Sequence, residues 1–288
     1  MRKTGIRGLG LLVLLLAGAW LCSCGSGINL GQGTPEELPE RPGWGLVVMG
    51  DSRGGADVLL RLAMIVSLLD PRPELTVHLG DMISRPGDEF QWGVFHEVME
   101  PITEFMPLYP VPGNHDVEGG KSQDIYRQQF NLPGGMTYYR VDVNNARLLF
   151  LDGTIPGQKN SIAGEQLVWL EDQMTQLAGD TAFKLVFCHY PFFKASSSSH
   201  EPLMNAADLH ALFVAAGVQA VFSSHDHLYD HQVHDGIDYF ISGGGGAPPE
   251  GGEGSFYHFV LVSVDRDYLW VDVINLAGEV YDTVMIGR

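Results

Sequence analysis

Several polar side chains stand directly after short apolar runs that end in glycine. Asp51, Asp81 and Asn114 each occupy such a position, and His115 and Asp116 follow Asn114. Glycine lets the backbone turn sharply or approach another segment closely, so the next side chain is placed at the mouth of a strand. Carboxylate, amide and imidazole groups at strand mouths can bind metal ions. The three runs are Leu46-Val-Val-Met-Gly, Leu75-Thr-Val-His-Leu-Gly and Tyr109-Pro-Val-Pro-Gly.

Histidines extend this pattern in the second half of the chain. The run Leu185-Val-Phe-Cys ends at His189, and Val221-Phe-Ser-Ser ends at His225, with His227 two residues later. Taken singly, a Gly-Asp pair is common in turns, and a lone histidine is more often structural than functional. Their joint occurrence at successive strand ends favours a functional metal site.

The elements between these residues predict an α/β fold. Short apolar runs alternate with longer amphipathic stretches, which is typical of βαβ units with parallel strand pairs. Ligands of such sheets bind at the carboxyl ends of the strands. The last segments, strand-like and separated by turns, predict an antiparallel finish. Predicted strands lie at 46–49, 75–79, 147–151, 184–188, 220–222, 239–242, 256–264, 269–274 and 280–286, and predicted helices at 58–69, 89–105, 164–177 and 206–216.

In this order the polar blocks resemble those of the calcineurin-like metallophosphoesterases, whose pattern is Asp-x-His, Gly-Asp-x-x, Gly-Asn-His-Asp/Glu, a lone His and Gly-His-x-His. Residues 113–116 read Gly-Asn-His-Asp and match the third block completely. Residues 224–227 read Ser-His-Asp-His and match the last block except for its glycine. The resemblance runs from about Trp44 to beyond Gly246. It implies a two-sheet αββα sandwich with helices on the outside.

The resemblance also implies a dinuclear metal centre that hydrolyses phosphate esters with a metal-bridging hydroxide. Asp81 would bridge both ions, and His115 would stand outside the metal ligands and donate a hydrogen bond or proton to the substrate or leaving group. Mixed oxygen and imidazole donors suit divalent or trivalent manganese, iron or zinc better than calcium. The other implied ligands are Asp51 and His227 for the first ion, and Asn114, His189 and His225 for the second.

The first block departs from the family pattern, because Arg53 stands where a metal-binding histidine is usual. Arginine stays protonated and cannot ligate a metal. The first ion should therefore be bound more weakly or carry an extra water, so that only one ion need be tightly bound. Arg53 itself either binds a substrate phosphate oxygen or pairs with a nearby carboxylate.

The second block also departs from the pattern. Purple acid phosphatases, the branch of the family nearest to this chain, likewise lack the first-block histidine but supply a tyrosine three residues after the bridging aspartate, where this chain has Ser84. Arg85 stands where protein phosphatases of the family have a phosphate-binding arginine. The two interpretations of Arg85 are phosphate binding and a surface salt bridge.

Two further polar segments each allow two interpretations. His200, His231 and His234 either line the substrate cleft or are solvated loop histidines, and the second interpretation is favoured. The glycine run at 243–246 lacks the helix and the Lys-Ser/Thr pair of a P-loop. A flexible loop near the site is therefore favoured over a phosphate cradle.

The chain is strongly acidic, with a formal net charge of −18 from 35 acidic and 17 basic side chains. Binding to a nucleic-acid backbone depends on clustered Lys and Arg, so no nucleic acid is expected as a stable partner. A phosphate ester substrate is expected instead, with metal ions handling its charge.

The N-terminal segment has the layout of a secretory signal. Basic residues precede an apolar run at 9–21, which is shorter than the roughly 20 residues of a membrane-spanning helix. Leu21-Cys22-Ser23-Cys24 resembles a bacterial lipobox and predicts cleavage before Cys24, with a lipid on Cys24; an uncleaved signal anchor is the alternative. The predicted organisation is a signal peptide at 1–23, a flexible tether at 24–43 and a metallophosphoesterase domain at 44–288.

Together these features predict an exported, lipid-anchored hydrolase of phosphate monoesters or diesters at the bacterial cell envelope, either periplasmic or on the outer surface. The membrane would be contacted through the lipid on Cys24. The alternative is a non-catalytic or single-metal lipoprotein that binds phosphate or metal on the same fold, because fold and function are separable.

Overall fold

The computed structural model describes residues 38–117, 122–158, 160–175 and 181–288. Within them the chain forms two six-stranded β-sheets and a set of helices. The strands are β1 (Trp44–Met49), β2 (Leu75–His78), β3 (Leu108–Pro110), β4 (Tyr139–Val143), β5 (Ala146–Leu151), β6 (Phe183–Cys188), β7 (Ala220–Ser223), β8 (Tyr229–His234), β9 (Ile237–Ser242), β10 (His258–Val264), β11 (Tyr268–Asn275) and β12 (Val280–Gly287). The helices are α1 (Ala56–Ser67), α2 (Glu89–Thr103), α3 (Gln123–Gln129), α4 (Gly164–Thr175) and α5 (Ala206–Ala216), with a short 3-10 helix at Pro133–Gly135.

Sheet 1 joins a parallel half to an antiparallel half in the order β12-β11-β10-β1-β2-β3. Strands β1, β2 and β3 are parallel, whereas β10 pairs antiparallel with both β1 and β11. The predicted antiparallel finish is confirmed for β10, β11 and β12. The segment predicted at 239–242 lies instead in the second sheet as β9, parallel to β7 and antiparallel to β8.

Sheet 2 has the order β4-β5-β6-β7-β9-β8 and carries a ladder of stacked phenylalanines on its inner face. Phe150, Phe187, Phe222 and Phe240 are cross-strand neighbours in register. Their successive ring centroids are 5.1, 5.4 and 5.0 Å apart. Stacked aromatic pairs of this kind contribute about 0.5–1.5 kcal/mol each beyond the burial of their area. The ladder therefore helps to set the register of the four parallel strands β5, β6, β7 and β9.

Helices cover the outer face of each sheet. Helix α1 buries Leu59, Leu62 and Val66 at helical spacing against sheet 1, where α2 also packs. Helix α5 buries Leu209 and Phe213 against sheet 2, together with α4. An apolar stripe on one side of each helix drives this arrangement. The predicted two-sheet αββα sandwich is confirmed.

The predicted helices agree closely with the observed ones. Helix α5 has the predicted bounds, and α1, α2 and α4 differ from prediction by no more than two residues at either end. The sequence interpretation missed α3, β4 and β8, whereas β3 overlaps the strand end predicted at Tyr109-Pro-Val-Pro-Gly. Strands β4 and β8 are edge strands, and neither is a continuous apolar run like the core strands. Strand β4 alternates apolar and polar residues over only five positions, and β8 is mostly polar.

The N-terminal predictions fall largely on residues 1–37, which lie outside the described residues. This holds for the signal peptide, for Cys24 and for most of the tether. In the last part of the predicted tether, Arg41 forms a two-pronged ion pair with Asp272, with Nε 3.0 Å from Oδ2 and Nη2 2.8 Å from Oδ1. Over the stretches that the structure describes, no helix has the length and apolar character needed to span a membrane.

Candidate metal centre

The parallel strands of both sheets bring their carboxyl ends to the same edge of the sandwich. Asp51 and Asp81 follow β1 and β2, Asn114 follows β3, and His189 and His225 follow β6 and β7. The ligand atoms of Asp51, Asp81 and His189 all lie within 4.8 Å of one another. Since these residues are far apart in the sequence, the packing of one sheet on the other is what brings them together.

Three residues of this cluster have a left-handed backbone. The φ angle is 54° at Asp51, 54° at Asp81 and 71° at His225. Residues other than glycine adopt this conformation rarely, and the cost persists only where surrounding contacts hold the backbone, often at functional sites. The strained turns therefore mark the ends of β1, β2 and β7 as places where side-chain position matters.

His189 lies at the centre of the cluster and is fully buried. Its Nδ1 donates a hydrogen bond to the Leu79 carbonyl oxygen at 2.8 Å, which leaves a lone pair on Nε2. Nε2 lies 3.0 Å from Asn114 Oδ1, 3.2 Å from His225 Nδ1 and 3.6 Å from Asp81 Oδ1. Several electron-rich atoms thus converge on one point, an arrangement that a bound cation stabilises.

Asp51 marks a second place where a cation would fit. Its Oδ2 accepts hydrogen bonds from Ser224 Oγ and, at 2.6 Å, from the His225 backbone N–H. Its Oδ1 is buried and has no hydrogen-bond partner among the described residues. His227 Nε2 lies 3.6 Å from Oδ1, while His227 Nδ1 donates to the Pro248 carbonyl oxygen at 2.9 Å. Because a buried polar atom without a partner is costly, Oδ1 and Nε2 together fit a cation.

The pKa shifts of Asp51 and His225 suit metal binding, whereas that of His227 favours a protonated ring whose proton a metal ion must displace. Burial alone would raise the pKa of Asp51, but the contact with His227 at 3.6 Å and the nearby charge of His189 hold that pKa well below its usual range. Burial, with a further contribution from the charge of His189, lowers the pKa of His225 to about 3. Burial also acts to lower the pKa of His227, but the Asp51 carboxylate 3.6 Å away raises it overall. Ionised carboxylates and neutral imidazoles are the forms that bind metal ions.

The donor set fits the ions that the sequence predicts. Carboxylate, amide and imidazole donors in one buried cluster match manganese, iron or zinc. The structure brings every predicted ligand to this edge of the sandwich: Asp51, Asp81, Asn114, His189, His225 and His227.

Arg53 lies beside the aspartate that the two ions are expected to share. Its Nε is 3.4 Å from Asp81 Oδ2, and 29% of its side chain is exposed. The other oxygen of Asp81, Oδ1, faces His189. Of the two roles predicted for Arg53, pairing with a carboxylate corresponds to the contact seen. The side chain of Arg53 is therefore partly open to solvent, although its Nε is buried.

His115 stands at the rim of the cluster with 37% of its side chain exposed. Its Nε2 lies 3.9 Å from Asp81 Oδ2, and its Nδ1 lies 3.4 Å from the Ser84 carbonyl oxygen. Its backbone N–H donates to Asp81 Oδ1 at 2.9 Å. The ring therefore adjoins the cluster while remaining accessible to a bound molecule.

Arg85 lies further from the cluster, at the N-terminal end of α2. Its side chain is 76% exposed, and its Nη2 is 3.4 Å from Asp88 Oδ2. This contact corresponds to the surface salt bridge, one of the two interpretations of Arg85. A solvent-exposed pair of this kind is screened by water, so it constrains Arg85 little.

Asp116 supports the centre, and the sequence interpretation assigned it no role. It is fully buried and accepts backbone N–H bonds from Asp81 at 2.8 Å, Met82 at 2.9 Å, Ile83 at 3.3 Å and Gly113 at 2.9 Å. It thereby ties the loop after β2 to the loop after β3. The loops meet so closely that a side chain on Gly113 would overlap the backbone N and Oδ1 of Asp81. The position of Asp116 in the Gly-Asn-His-Asp block was the available signal.

A hydrogen-bonded pair adjoins His225 on the other side. Asp226 is buried and accepts hydrogen bonds from Ser198 Oγ and from His200 Nδ1, each at 2.7 Å. The His200 ring centroid is 4.6 Å from that of His225. His200 is therefore held beside a predicted metal ligand by its bond to Asp226.

The other two loop histidines lie elsewhere. His231 Nε2 is 2.8 Å from Asp238 Oδ1, and its ring stacks on Phe240. His234 stacks on Phe193 with ring centroids 3.7 Å apart. Neither residue is brought to the metal centre by a contact that the structure describes.

The glycine run at 243–246 packs against the loop after β1. The Gly245 N–H donates to the Gly50 carbonyl oxygen at 2.8 Å. A side chain on Gly243 would overlap the Asp226 carbonyl oxygen, and one on Gly245 would overlap that of Gly50. The run is near the site, as predicted, but it is buried and hydrogen-bonded rather than a flexible loop. Glycine is required because two backbones meet there with no room for a Cβ atom.

Comparison with known proteins gives relatives for both the sequence and the fold. CPPED1 of Danio rerio, a serine/threonine-protein phosphatase, is 27% identical over 215 residues, which cover 67% of this chain and 69% of that protein. A purple acid phosphatase from yellow lupin (Lupinus luteus) seeds superposes with a TM-score of 0.72 at 20% identity. The match covers 85% of this chain and 54% of the lupin protein, so this chain spans about half the length of that enzyme. A dimetal phosphatase from Danio rerio superposes with a TM-score of 0.66 at 14% identity, over 86% of this chain and 99% of that one.

A family model matches the part of the chain that carries the cluster. The model, described as calcineurin-like phosphoesterase, matches residues 46–229. This range begins in β1, ends at the start of β8, and contains all of the predicted ligands together with His115. The resemblance noted in the sequence is confirmed. The chain belongs to the calcineurin-like phosphoesterase family and is a phosphoric ester hydrolase.

Proposed function

We propose that this chain hydrolyses phosphate monoesters or diesters at a dinuclear metal centre. The proposal rests on three potential ligand atoms that lie within 3.6 Å of His189 Nε2. They are Asn114 Oδ1, His225 Nδ1 and Asp81 Oδ1. These atoms belong to the site of the second ion. The partnerless Oδ1 of Asp51 supports a site for the first ion nearby. Manganese, iron and zinc are the metals that this donor set favours.

Each ligand has a proposed ion. Asp81 would hold both, with Oδ1 on the side of His189 and Oδ2 on the side of Arg53. The other ligands are Asp51 and His227 for the first ion, and Asn114, His189 and His225 for the second.

The residues around the ions have distinct roles in the proposed reaction. When bound, the two ions supply a hydroxide nucleophile near neutral pH and stabilise the charge that develops on the transferring phosphoryl group. The guanidinium of Arg53 holds a phosphate oxygen. His115 carries a proton for the oxygen of the leaving group. The Ser84 carbonyl oxygen orients the His115 ring through its contact with His115 Nδ1.

The proposal is tested with protein loaded separately with Mn²⁺, Fe²⁺ or Zn²⁺. Each preparation is assayed on para-nitrophenyl phosphate and bis(para-nitrophenyl) phosphate, with the metal content counted by mass spectrometry and chelator-treated protein as the control. We expect metal-dependent hydrolysis of at least one ester. If no loaded preparation releases nitrophenol, the non-catalytic alternative of a metal-binding or phosphate-binding protein is favoured instead.

Arg53→His is expected to strengthen the binding of the more weakly held ion. The substitution removes a positive charge beside Asp81 and adds an imidazole where it can act as a ligand. We expect the dissociation constant of that ion to fall by roughly tenfold, the scale of effects seen around metal ligands. Calorimetric titration with Mn²⁺ measures it. Arg53→Gln is the matched control, since it removes the charge without adding an imidazole; identical titrations for wild type and Arg53→His would contradict a weak first ion.

We also propose that the chain is exported and anchored at the bacterial cell envelope by a lipid on Cys24. The support is the order of basic residues, apolar run and lipobox-like Leu21-Cys22-Ser23-Cys24. Bacteria that express the chain are fed an alkyne-tagged fatty acid. Label is expected on the wild type and on Cys22→Ser, the matched control, and should be absent from Cys24→Ser. Label that persists on Cys24→Ser would rule out this attachment site.

A further inference from the structure

A largely apolar pocket lies between α1, α2 and the loops that follow β1 and β2. Its volume is about 540 Å³, inside the range of roughly 300–1,000 Å³ that is usual for small-molecule sites. We call it the α1–α2 pocket. Its apolar wall is formed by Leu59, Met82, Ile83, Phe90, Val94 and Phe95.

The α1–α2 pocket adjoins the two loops that carry Asp51 and Asp81. Ser52, which follows Asp51, and Met82, which follows Asp81, both line it. The backbone N–H groups of Ser52 and Arg53 donate to the Asp81 carbonyl oxygen at 3.0 Å, so the two loops are held together. A phosphate ester bound at the centre therefore has this pocket within reach of its organic group.

One wall of the pocket leads to His115. Ser84 and Arg85 line this polar side. The Ser84 carbonyl oxygen lies 3.4 Å from His115 Nδ1, and the proposed role of His115 is to protonate the leaving group. The pocket thus lies on the side of the leaving group rather than that of the transferred phosphoryl group.

Phe90 marks the outer rim of the pocket. It stands in the first turn of α2 and is 78% exposed, although its ring lines the cavity. Exposing an aromatic ring to water is unfavourable, and covering it with another apolar group is favourable. An apolar ligand group in the pocket would cover this ring.

We propose that the α1–α2 pocket binds an apolar leaving group, aryl or branched alkyl, and so selects the phosphate esters on which the enzyme acts. The inference rests on the proposed function, because the metal centre is what holds the phosphate. Sugar and polyol esters are disfavoured, since their hydroxyls would be desolvated against side chains that offer few hydrogen bonds.

The kinetic test compares naphthyl phosphate with glycerol phosphate. Val94→Trp fills the pocket from a partly exposed position on α2, and Val168→Trp makes the same change at an exposed position on α4. The ratio of kcat/KM for naphthyl phosphate to that for glycerol phosphate is expected to fall by roughly tenfold in Val94→Trp, as for a lost apolar contact. It should stay at the wild-type value in Val168→Trp. An unchanged ratio in Val94→Trp overturns the proposal.

A binding measurement separates this proposal from a failure of the proposed function. In naphthylmethylphosphonate a CH₂ group replaces the ester oxygen of naphthyl phosphate. Its carbon–phosphorus bond is not hydrolysed, so calorimetry measures the affinity without turnover. If no ester is hydrolysed, binding that is roughly tenfold weaker in Val94→Trp than in Val168→Trp still supports the pocket. Equal affinities in the two variants, or no binding to the wild type, overturn it.

Discussion

Asp81→Asn is expected to lower the turnover of para-nitrophenyl phosphate by roughly three orders of magnitude, since bound ions supply several kcal/mol of stabilisation and each 1.4 kcal/mol or so is a factor of ten. The amide has nearly the shape of the carboxylate but not its charge. Asp81 Oδ1 accepts the His115 N–H and faces His189, whereas Oδ2 faces Arg53. In asparagine one of these two oxygens becomes an NH₂ group, which has no lone pair for a metal.

The measurement for Asp81→Asn combines turnover with the metal content of the same preparation, and both are expected to fall. Asp124→Asn is the matched control, because it makes the same change at a carboxylate that is 83% exposed and paired with Arg127 on the same helix. This control should keep the turnover and metal content of the wild type. Wild-type turnover in Asp81→Asn would overturn the dinuclear mechanism.

His115→Ala is expected to lower turnover by about 10²–10⁴-fold, the usual contribution of a general acid. The metal content should not change, because the ring lies outside the proposed ligands at 3.9 Å from Asp81 Oδ2. The hydrogen bond to Asp81 Oδ1 also survives, since the backbone N–H of residue 115 donates it. The variant therefore removes the proton donor while leaving the support of the cluster in place.

Two comparisons distinguish a proton donor from a structural role for His115. Phenyl phosphate, whose leaving group needs a proton, should lose more turnover than para-nitrophenyl phosphate, whose leaving group departs readily as an anion. His96→Ala is the matched control, at an exposed histidine of α2 whose Nε2 lies 3.3 Å from Gln129 Oε1. Equal losses on both esters would argue against acid catalysis, and loss of metal would make His115 a ligand.

The helices and central strands could be predicted because their signals are local. The buried residues of α1 recur at helical spacing, and the core strands are continuous apolar runs bounded by turn residues. The edge strands β4 and β8 are not continuous apolar runs, since β4 alternates apolar and polar residues over only five positions and β8 is mostly polar, so their signals are weak. Strand β9 was predicted as a strand, but its parallel pairing with β7 depends on a partner that its own residues do not specify.

The sequence also left the role of Arg53 open. Both of its predicted partners, phosphate and carboxylate, suit the guanidinium equally well. The structure puts Nε 3.4 Å from Asp81 Oδ2 because the β1–α1 loop is hydrogen-bonded to the loop after β2 through the Asp81 carbonyl oxygen. The contact with the carboxylate therefore follows from the alignment of two neighbouring strands.

Supporting residues were harder to predict than ligands. Ser224 donates to Asp51 across 173 residues of sequence, and Asp116 binds the backbone of the loop after β2 from more than 30 residues away. The pairing of His200 with Asp226 likewise joins two loops. No local sequence pattern predicts these contacts, because each joins residues that are far apart in the sequence. They can be identified only from the tertiary structure.

The amino-acid sequence is sufficient to specify the chemical identity of the metal donors and their places at strand ends, because a glycine turn after an apolar run is a local property of the chain. The distances between these donors depend instead on how strands that are far apart in the sequence pack together. Tertiary structure decides that His189 Nε2 points at Asn114, His225 and Asp81, because the Leu79 carbonyl oxygen on the facing sheet binds its Nδ1. It also decides that an apolar pocket adjoins the centre, since that cavity exists only where α1 and α2 pack beside the two loops.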